Sequence, residues 1–296
     1  MKAALRQHLK SQWYRCRLRA QRKALPKAIG PIRITCAGKR DGGGAQWHAC
    51  ISVWALARAY GLAYIHTPFS IIEHGRADDA NWLQAWNTLF NLESCGISTQ
   101  ASASNHQVFT DPLNLLIHLR QRRCCSDAVL TLEHAHPFTN QFPVTLTELQ
   151  PLLRQAYRPR NNLAPPPVQL HQTVVVHVRR GDVQPTGPHR QRFTSAEALA
   201  LQCRCLLAQR PQLRQVLLLS ASPDADLLAL QQSGFILDYS HDVFTHLHWM
   251  TQAAALIMAK SSLSYLAALL NPNLVVYEPF EHPPLQGWFM AAKLKQ

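Results

Sequence analysis

"HVRRGD", residues 177–182, follows the apolar run Thr173-Val174-Val175-Val176. An apolar run of this length reads as a buried strand. It ends in two adjacent arginines, then a glycine that permits a sharp turn without a Cβ clash, then an aspartate. Open α/β sheets gather ligands beyond the carboxyl ends of their strands. The stretch therefore predicts an α/β fold with an anion site at the rim of its sheet. Side chains alternate along a strand, so His177 and Arg179 face one way and Val178 and Arg180 the other, and the two guanidiniums need not share one job. Arginine's rigid donor fork matches phosphate oxygens. The plainer alternative is an Arg-Asp salt bridge that closes the strand.

Outward from this stretch the same alternation of elements repeats. On the amino-terminal side, 32–36 reads as a strand, "GKRDGGGAQ" (38–46) as a glycine-rich loop, 47–60 as a helix and 62–66 as a second strand, which is the βαβ pattern of a parallel sheet. Helices near 79–91 and 112–122, a strand at 128–135 and a helix with a Thr cap at 145–157 follow. "RPRNNLAPPPVQL" (158–170) holds four prolines and two asparagines in thirteen residues and reads as a domain linker. Beyond it come strands at 173–178, 215–222, 235–239, 255–259 and 274–278, with helices at 194–208, 224–233, 243–254 and 262–270 between them. The expected organisation is a basic arm (1–30), an amino-terminal Rossmann-like domain (31–165) and a carboxyl-terminal one (166–296).

Three further clusters carry chemistry. In "DGGGAQWHA" (41–49), Asp41, Gly42, Gly43, Gly44 and Gln46 precede a helix. Their exposed backbone N–H groups suit a phosphate or a closely approaching sugar, though a tight turn without ligand fits as well. The Walker lysine and the GxGxxG spacing are both absent. In "LLLSASPDADL" (217–227), Ser220, Ser222 and Asp224 sit at a strand end and offer nucleoside contacts. Asp224 and Asp226 resemble a metal-binding pair but fall in a helix's first turn, where capping explains them. In "KSSLSYLAALLNP" (260–272), Ser261 and Ser262 open an apolar helix after a strand and offer a second set of phosphate donors. None of the fifteen histidines falls in a metal-ligand spacing, so no metal and no cofactor is assigned.

The net charge is +13, and nine of the lysines and arginines lie in residues 1–27, which hold no acid. Leu5, Leu9 and Trp13 recur every fourth residue. The arm thus reads either as an amphipathic helix lying on anionic lipid or as a solvated helix packed on its own domain. The eight cysteines form no CxxC pair and are read as reduced. With neither a secretory h-region nor a long apolar span, the location expected is cytoplasmic, peripheral on the inner membrane face where the arm engages lipid.

In this order, the clusters resemble those of the GDP-fucose-dependent fucosyltransferases, the superfamily of α-1,2, α-1,6 and protein O-fucosyltransferases. "HVRRGD" resembles its HxRRxD motif, "LLLSASPD" its second motif and "SSLSYLAALL" its third. "GGGAQ" with "YIHTPF" (64–69) resembles its acceptor-side loop. The resemblance spans about residues 32–280. It implies a GT-B-like architecture, two Rossmann-like domains facing across a cleft. It also implies an inverting, metal-independent transfer of fucose from GDP-fucose to a hydroxyl of a glycan or lipid-linked saccharide. Arg179, Arg180, Ser261 and Ser262 would hold the diphosphate, His177 and Gly181 the surrounding donor site, and Ser220, Ser222 or Asp224 the nucleoside.

The family's acid shortly after the first motif has no counterpart before Glu197. The general base therefore stays open among Asp182, Asp41 and His189, with Asp182 ranked first because it lies nearest the arginines. Two alternatives remain. One is an inactive sugar- or nucleotide-binding protein of the same fold, consistent with the missing acid. The other is a nucleic-acid binder, motivated by a pI of 9.7.

Overall fold

The computed structural model describes residues 12–20, 32–75, 81–99, 107–121 and 129–295. The chain forms two units, Met1–Ala156 and Tyr157–Gln296. Each is a wholly parallel sheet clothed by helices, as the βαβ succession predicts. No helix among the described residues is long and apolar enough to cross a membrane.

Unit 1 begins with a helix at 12–20 (α1). Four strands follow, β1 (Arg33–Cys36), β2 (Ala63–Tyr64), β3 (Gln107–Phe109) and β4 (Val129–Leu132), in the spatial order β2-β1-β4-β3. The helices are α2 (Gly43–Tyr60), α3 (Trp82–Asn87), α4 (Pro112–Gln121), α5 (His136–Gln141) and α6 (Val144–Ala156). α2 is buried along almost its whole length and ends on Gly61 in the left-handed region, φ +68°. It starts at Gly43, so two of the predicted loop glycines lie in its first turn. Thr145 does not cap α6: it lies inside the helix and its hydroxyl donates back to Phe142 O (2.7 Å). β3 and α5 are too short to show a periodicity, which is why the sequence does not announce them.

α1 lies against unit 1 through its inner face. Leu18 is fully buried, Tyr14 donates to Asp111 Oδ1 (2.6 Å) and Tyr60 donates to Leu18 O (3.2 Å). Arg15, Arg17 and Arg19 are exposed. Of the expected apolar stripe only Trp13, 56% exposed, is among the described residues; Leu5 and Leu9 lie outside them. Cys16, Cys36, Cys50, Cys95, Cys203 and Cys205 are free, while Cys124 and Cys125 lie outside the described residues.

Unit 2 contains β5 (Thr173–Val178), β6 (Gln215–Ser220), β7 (Ile236–Asp238), β8 (Ala255–Ile257), β9 (Leu274–Tyr277) and β10 (Phe289–Met290). Its helices are α7 (Ala196–Gln209), α8 (Ala225–Gln232), α9 (Val243–Gln252) and α10 (Ser262–Leu270). β5 runs from Thr173 to Val178 as predicted. Its apolar run is continuous because helices cover both faces, so Val174, Val175 and Val176 are all fully buried.

The boundary between the units falls after Ala156 rather than at 165/166. The proline-rich stretch is not a free linker but part of unit 2. Arg160 pairs with Asp242 (3.3 Å), Ala164 O accepts from Trp249 Nε1 (3.1 Å) and Leu170 O from Ala254 N (2.9 Å). Prolines punctuate secondary structure, but backbone carbonyls beside them still dock against a neighbouring helix.

The strand order of unit 2 is β10-β9-β8-β5-β6-β7. Counted within the unit this is 6-5-4-1-2-3, the doubly wound order whose direction reverses between the first and fourth strands. Here those are β5 and β8, paired at Val174–Ala255, Val175–Leu256 and Val176–Ile257. The switch point therefore lies beyond Val178 and Ile257, and the chain leaving those two strands carries the HVRRGD and KSS segments.

Candidate anion site at the switch point of unit 2

The residues after β5 split between the two faces of the sheet, as strand alternation requires. On one face, the His177 Nδ1 shares a hydrogen bond with the Ser264 hydroxyl, and Arg179 Nη1 donates to Ser261 Oγ (3.3 Å). Both partners belong to the start of α10. Ser261 is the N-cap of that helix, accepting from Leu263 N (3.2 Å). Ser264 also accepts from Ala259 N (3.1 Å), which ties the end of β8 to the helix. α10 is apolar on nearly all sides and buried from Ser264 to Leu270, so it cannot shift without exposing core, and its amino end is held at the rim.

On the other face Arg180 turns away from the switch point. It is 6% exposed. Its Nε meets Asp224 Oδ2 at 2.5 Å, its Nη2 donates to Thr194 O (3.2 Å) and its guanidinium lies 4.3 Å from the Phe193 ring centroid. Asp224 is the N-cap of α8, accepting from Leu227 N (2.8 Å). Asp224 thus caps α8 while Asp226 lies in the helix's first turn, and the first motif serves two jobs, one guanidinium within the fold and one at the rim.

Arg179 has an anionic partner of its own. Gly181, at φ +86°, turns the chain back and Asp182 takes the Arg179 fork, Nε to Oδ1 at 3.2 Å and Nη2 to Oδ2 at 2.5 Å. Unlike the Arg180 pair, this one is open to solvent, with the two side chains 25% and 43% exposed.

The His177 ring is kept neutral. Burial first, then the neighbouring charges of His246 and Arg179, push its pKa down to about 3. A neutral imidazole beside Arg179 leaves the positive charge of the rim with the guanidinium.

The remaining predicted residues are placed as follows. Ser220 is buried and donates to Ser222 O (2.7 Å), closing the turn after β6. Ser262, half-buried, begins α10 beside Ser261. His189 is exposed. Asp41, Gly42, Gly43, Gly44 and Gln46 belong to unit 1. There Asp41 Oδ1 accepts from Gly42 N (2.8 Å), its other oxygen pairs with Lys39 (3.5 Å), and Gln46 Nε2 bridges Asp41 O (2.8 Å) and Ile71 O (2.7 Å). A Cβ on Gly43 would come within 2.2 Å of the Trp86 ring, so close helix packing accounts for that glycine.

The sequence reading missed the rim beyond β7. Asp238 lies in the same row as His177 across the sheet, through the pairings His177–Leu219 and Leu219–Asp238. Its carboxylate binds His246 Nε2 (2.9 Å) and His241 Nδ1 (2.7 Å). Burial acts to raise the Asp238 pKa, but the hydrogen bonds from His246 and His241 outweigh it and hold the carboxyl below its usual range. An aspartate closing a short apolar strand was the available signal. The rim beyond β9 adds Glu278, 4.0 Å from Lys260, and Glu281, paired with Arg192.

No model of a known protein family matches the chain, and no curated protein matches it. Solved structures do resemble it at low identity. POFUT1 in complex with GDP aligns over 82% of this chain and 95% of its own, at 13% identity and a TM-score of 0.47. A mutant of Arabidopsis thaliana FUT1 in complex with GDP aligns over 90% of this chain and 76% of its own, at 11% identity and a TM-score of 0.43. The fucosyltransferase NodZ from Bradyrhizobium aligns over 81% and 94%, at 15% identity and a TM-score of 0.42.

Proposed function

We propose that the chain is an inverting glycosyltransferase that moves a sugar, fucose by its motifs, from a guanosine diphosphate donor to a hydroxyl of a glycan or lipid-linked saccharide. One observation carries this reading. At the switch point of a doubly wound sheet, Arg179 Nη1 and the N-cap Ser261 Oγ stand 3.3 Å apart. They come from the two chain segments that leave the two strands where doubly wound folds bind nucleotides. A guanidinium fork, a serine hydroxyl and a helix amino end suit one ligand above others, a diphosphate.

The chemistry follows from that placement. The acceptor oxygen attacks the sugar's anomeric carbon, and the bond from that carbon to the β-phosphate oxygen breaks with its electron pair leaving on GDP. The acceptor's proton passes to a base, for which Asp182 stands nearest Arg179 and Asp41 and His189 remain alternatives. The leaving diphosphate gains charge as the bond breaks, and Arg179 with the α10 amino end stabilises it, which makes a metal ion unnecessary to the scheme. Arg180, Asp224, His177 and Ser264 act by fixing Arg179 and α10, and Ser222 and Ser262 line the nucleoside and phosphate ends.

The arm supports a cytoplasmic protein held at the inner membrane face. Trp13 is exposed with the Arg17 guanidinium 4.8 Å from its ring centroid, and three exposed arginines flank it on a helix anchored through Tyr14 and Leu18.

A second reading, an inactive nucleotide- or sugar-binding protein, draws support from the Asp182 carboxylate being engaged by Arg179 rather than standing free. Nucleic-acid binding rests only on the basic arm. A thermal-shift screen of GDP, GDP-fucose, GDP-mannose and UDP-sugars, followed by donor hydrolysis, separates these readings. Stabilisation by GDP-sugars with turnover supports the transferase, and stabilisation without turnover the inactive binder. Indifference to every nucleotide sinks both.

A further inference from the structure

The two ion pairs of the HVRRGD segment differ in kind. Arg180 and Asp224 are held from several sides at once, by the α8 cap, Thr194 O and the Phe193 ring. Arg179 and Asp182 meet through the two nitrogens Nε and Nη2 on a rim open to solvent, with side chains 25% and 43% exposed. The third nitrogen, Nη1, keeps its own contact with Ser261 and is untouched by the carboxylate. A carboxylate and a phosphate each present a pair of oxygens that a guanidinium edge can take in a two-point contact. The turn that delivers Asp182 runs through Gly181, whose Cβ position has nothing within 4 Å, so the turn is open at that point, while Val183 just beyond it is fully buried and anchors the chain. Exposed ion pairs of this type are weak enough to exchange.

From these contacts we propose that Asp182 is an internal stand-in for a donor phosphate. It occupies the Nε/Nη2 edge of Arg179 in the free protein and is displaced when the diphosphate of a sugar nucleotide binds. This rests on the donor reading above and deepens it in two ways. It assigns one phosphate to a stated edge of one side chain. It also makes the freedom of the Asp182 carboxylate depend on donor occupancy, so that the carboxylate is engaged while the site is empty and released once the donor is in place, an order of donor before acceptor.

The test is titration calorimetry of the full chain with GDP and with inorganic pyrophosphate, comparing wild type, Asp182→Asn and Arg179→Met. Removing an internal competitor tightens binding, so Asp182→Asn should bind both ligands about two- to fivefold more tightly, the span of an exposed ion pair, while Arg179→Met loses both. If wild type binds and Asp182→Asn binds equally or more weakly, the exchange is overturned, since the carboxylate then holds Arg179 in position or lies out of the way, and the donor reading survives. If wild type and Asp182→Asn, both folded by circular dichroism, bind neither ligand, the donor reading fails and takes the exchange with it.

Discussion

Arg180 Nε and Asp224 Oδ2 lie 2.5 Å apart, and the same carboxylate caps α8 through Leu227 N. The pair therefore joins the end of β5 to the start of α8, with the cation almost wholly inside. Breaking a buried pair from one side leaves a desolvated charge behind. Asp224→Asn should cost about 3 kcal/mol, part of it from the weakened cap, read from the urea midpoint. A loss below about 1 kcal/mol would show that Thr194 O and Phe193 suffice to hold the guanidinium.

Arg179 predicts the opposite profile. Its pair with Asp182 is exposed and adds little to stability, so Arg179→Met should leave the fold within about 1 kcal/mol of wild type. The same variant should lose the thermal stabilisation given by saturating GDP. Arg179→Lys should recover only part of it, because an ammonium cannot reproduce the two-point fork. Loss of stability without loss of GDP binding would exchange the roles assigned to the two arginines.

The acid limb of the stability curve tests His177. Above pH 6.5 the imidazole is neutral in both folded and unfolded chains. Between 6.5 and about 3 the unfolded chain takes up a proton that the fold refuses. Stability is therefore lost as pH falls through this window, by about 2 kcal/mol for a partly exposed ring. Burial lowers the His246 pKa against the pull of Asp238 and adds in the same direction, and Asp238, held below its usual range, extends the loss to lower pH. His177→Gln should flatten the upper part of the limb, measured as urea midpoint against pH. An unchanged slope would mean that the imidazole is protonated in the fold.

Strand content and strand order were not equally legible in the sequence. β5 shows its bounds because a both-faces-buried strand is a continuous apolar run closed by polar residues, and α10 shows its start because Ser261 stands before an apolar body. The meeting of Arg179 with Ser261 was not legible, since it depends on β8 lying beside β5, a pairing between residues about 80 apart in the chain. Alternation did foretell that the adjacent arginines would part to opposite faces. It said nothing of which carboxylate each would find, because Asp182 returns through a turn and Asp224 comes from the N-cap of α8, beyond the end of the next strand. The proline-rich stretch misled for a related reason. Composition reports that a segment has no periodicity, but not whether its carbonyls find donors on α9 and in the turn after it.

Two glycines give the last prediction, because each resists a side chain for a different reason. A Cβ at Gly43 would lie 2.2 Å from Trp86 Cδ2 and Cε2, and Trp86 is itself 2% exposed and unable to retreat. Gly43→Ala should therefore cost about 1–3 kcal/mol through overpacking of α2 on α3, with GDP affinity unchanged, since the loop belongs to unit 1 and its backbone serves that packing. At Gly181 there is open space, but φ is +86°, where an L side chain is strained. Gly181→Ala should cost about 1–2 kcal/mol and also alter GDP affinity, because the turn it relaxes is the one that brings Asp182 to Arg179. Paired urea and calorimetric titrations of the two variants check this. A change in GDP affinity for Gly43→Ala as large as for Gly181→Ala would show that the glycine loop, and not only the switch point of unit 2, acts on the nucleotide.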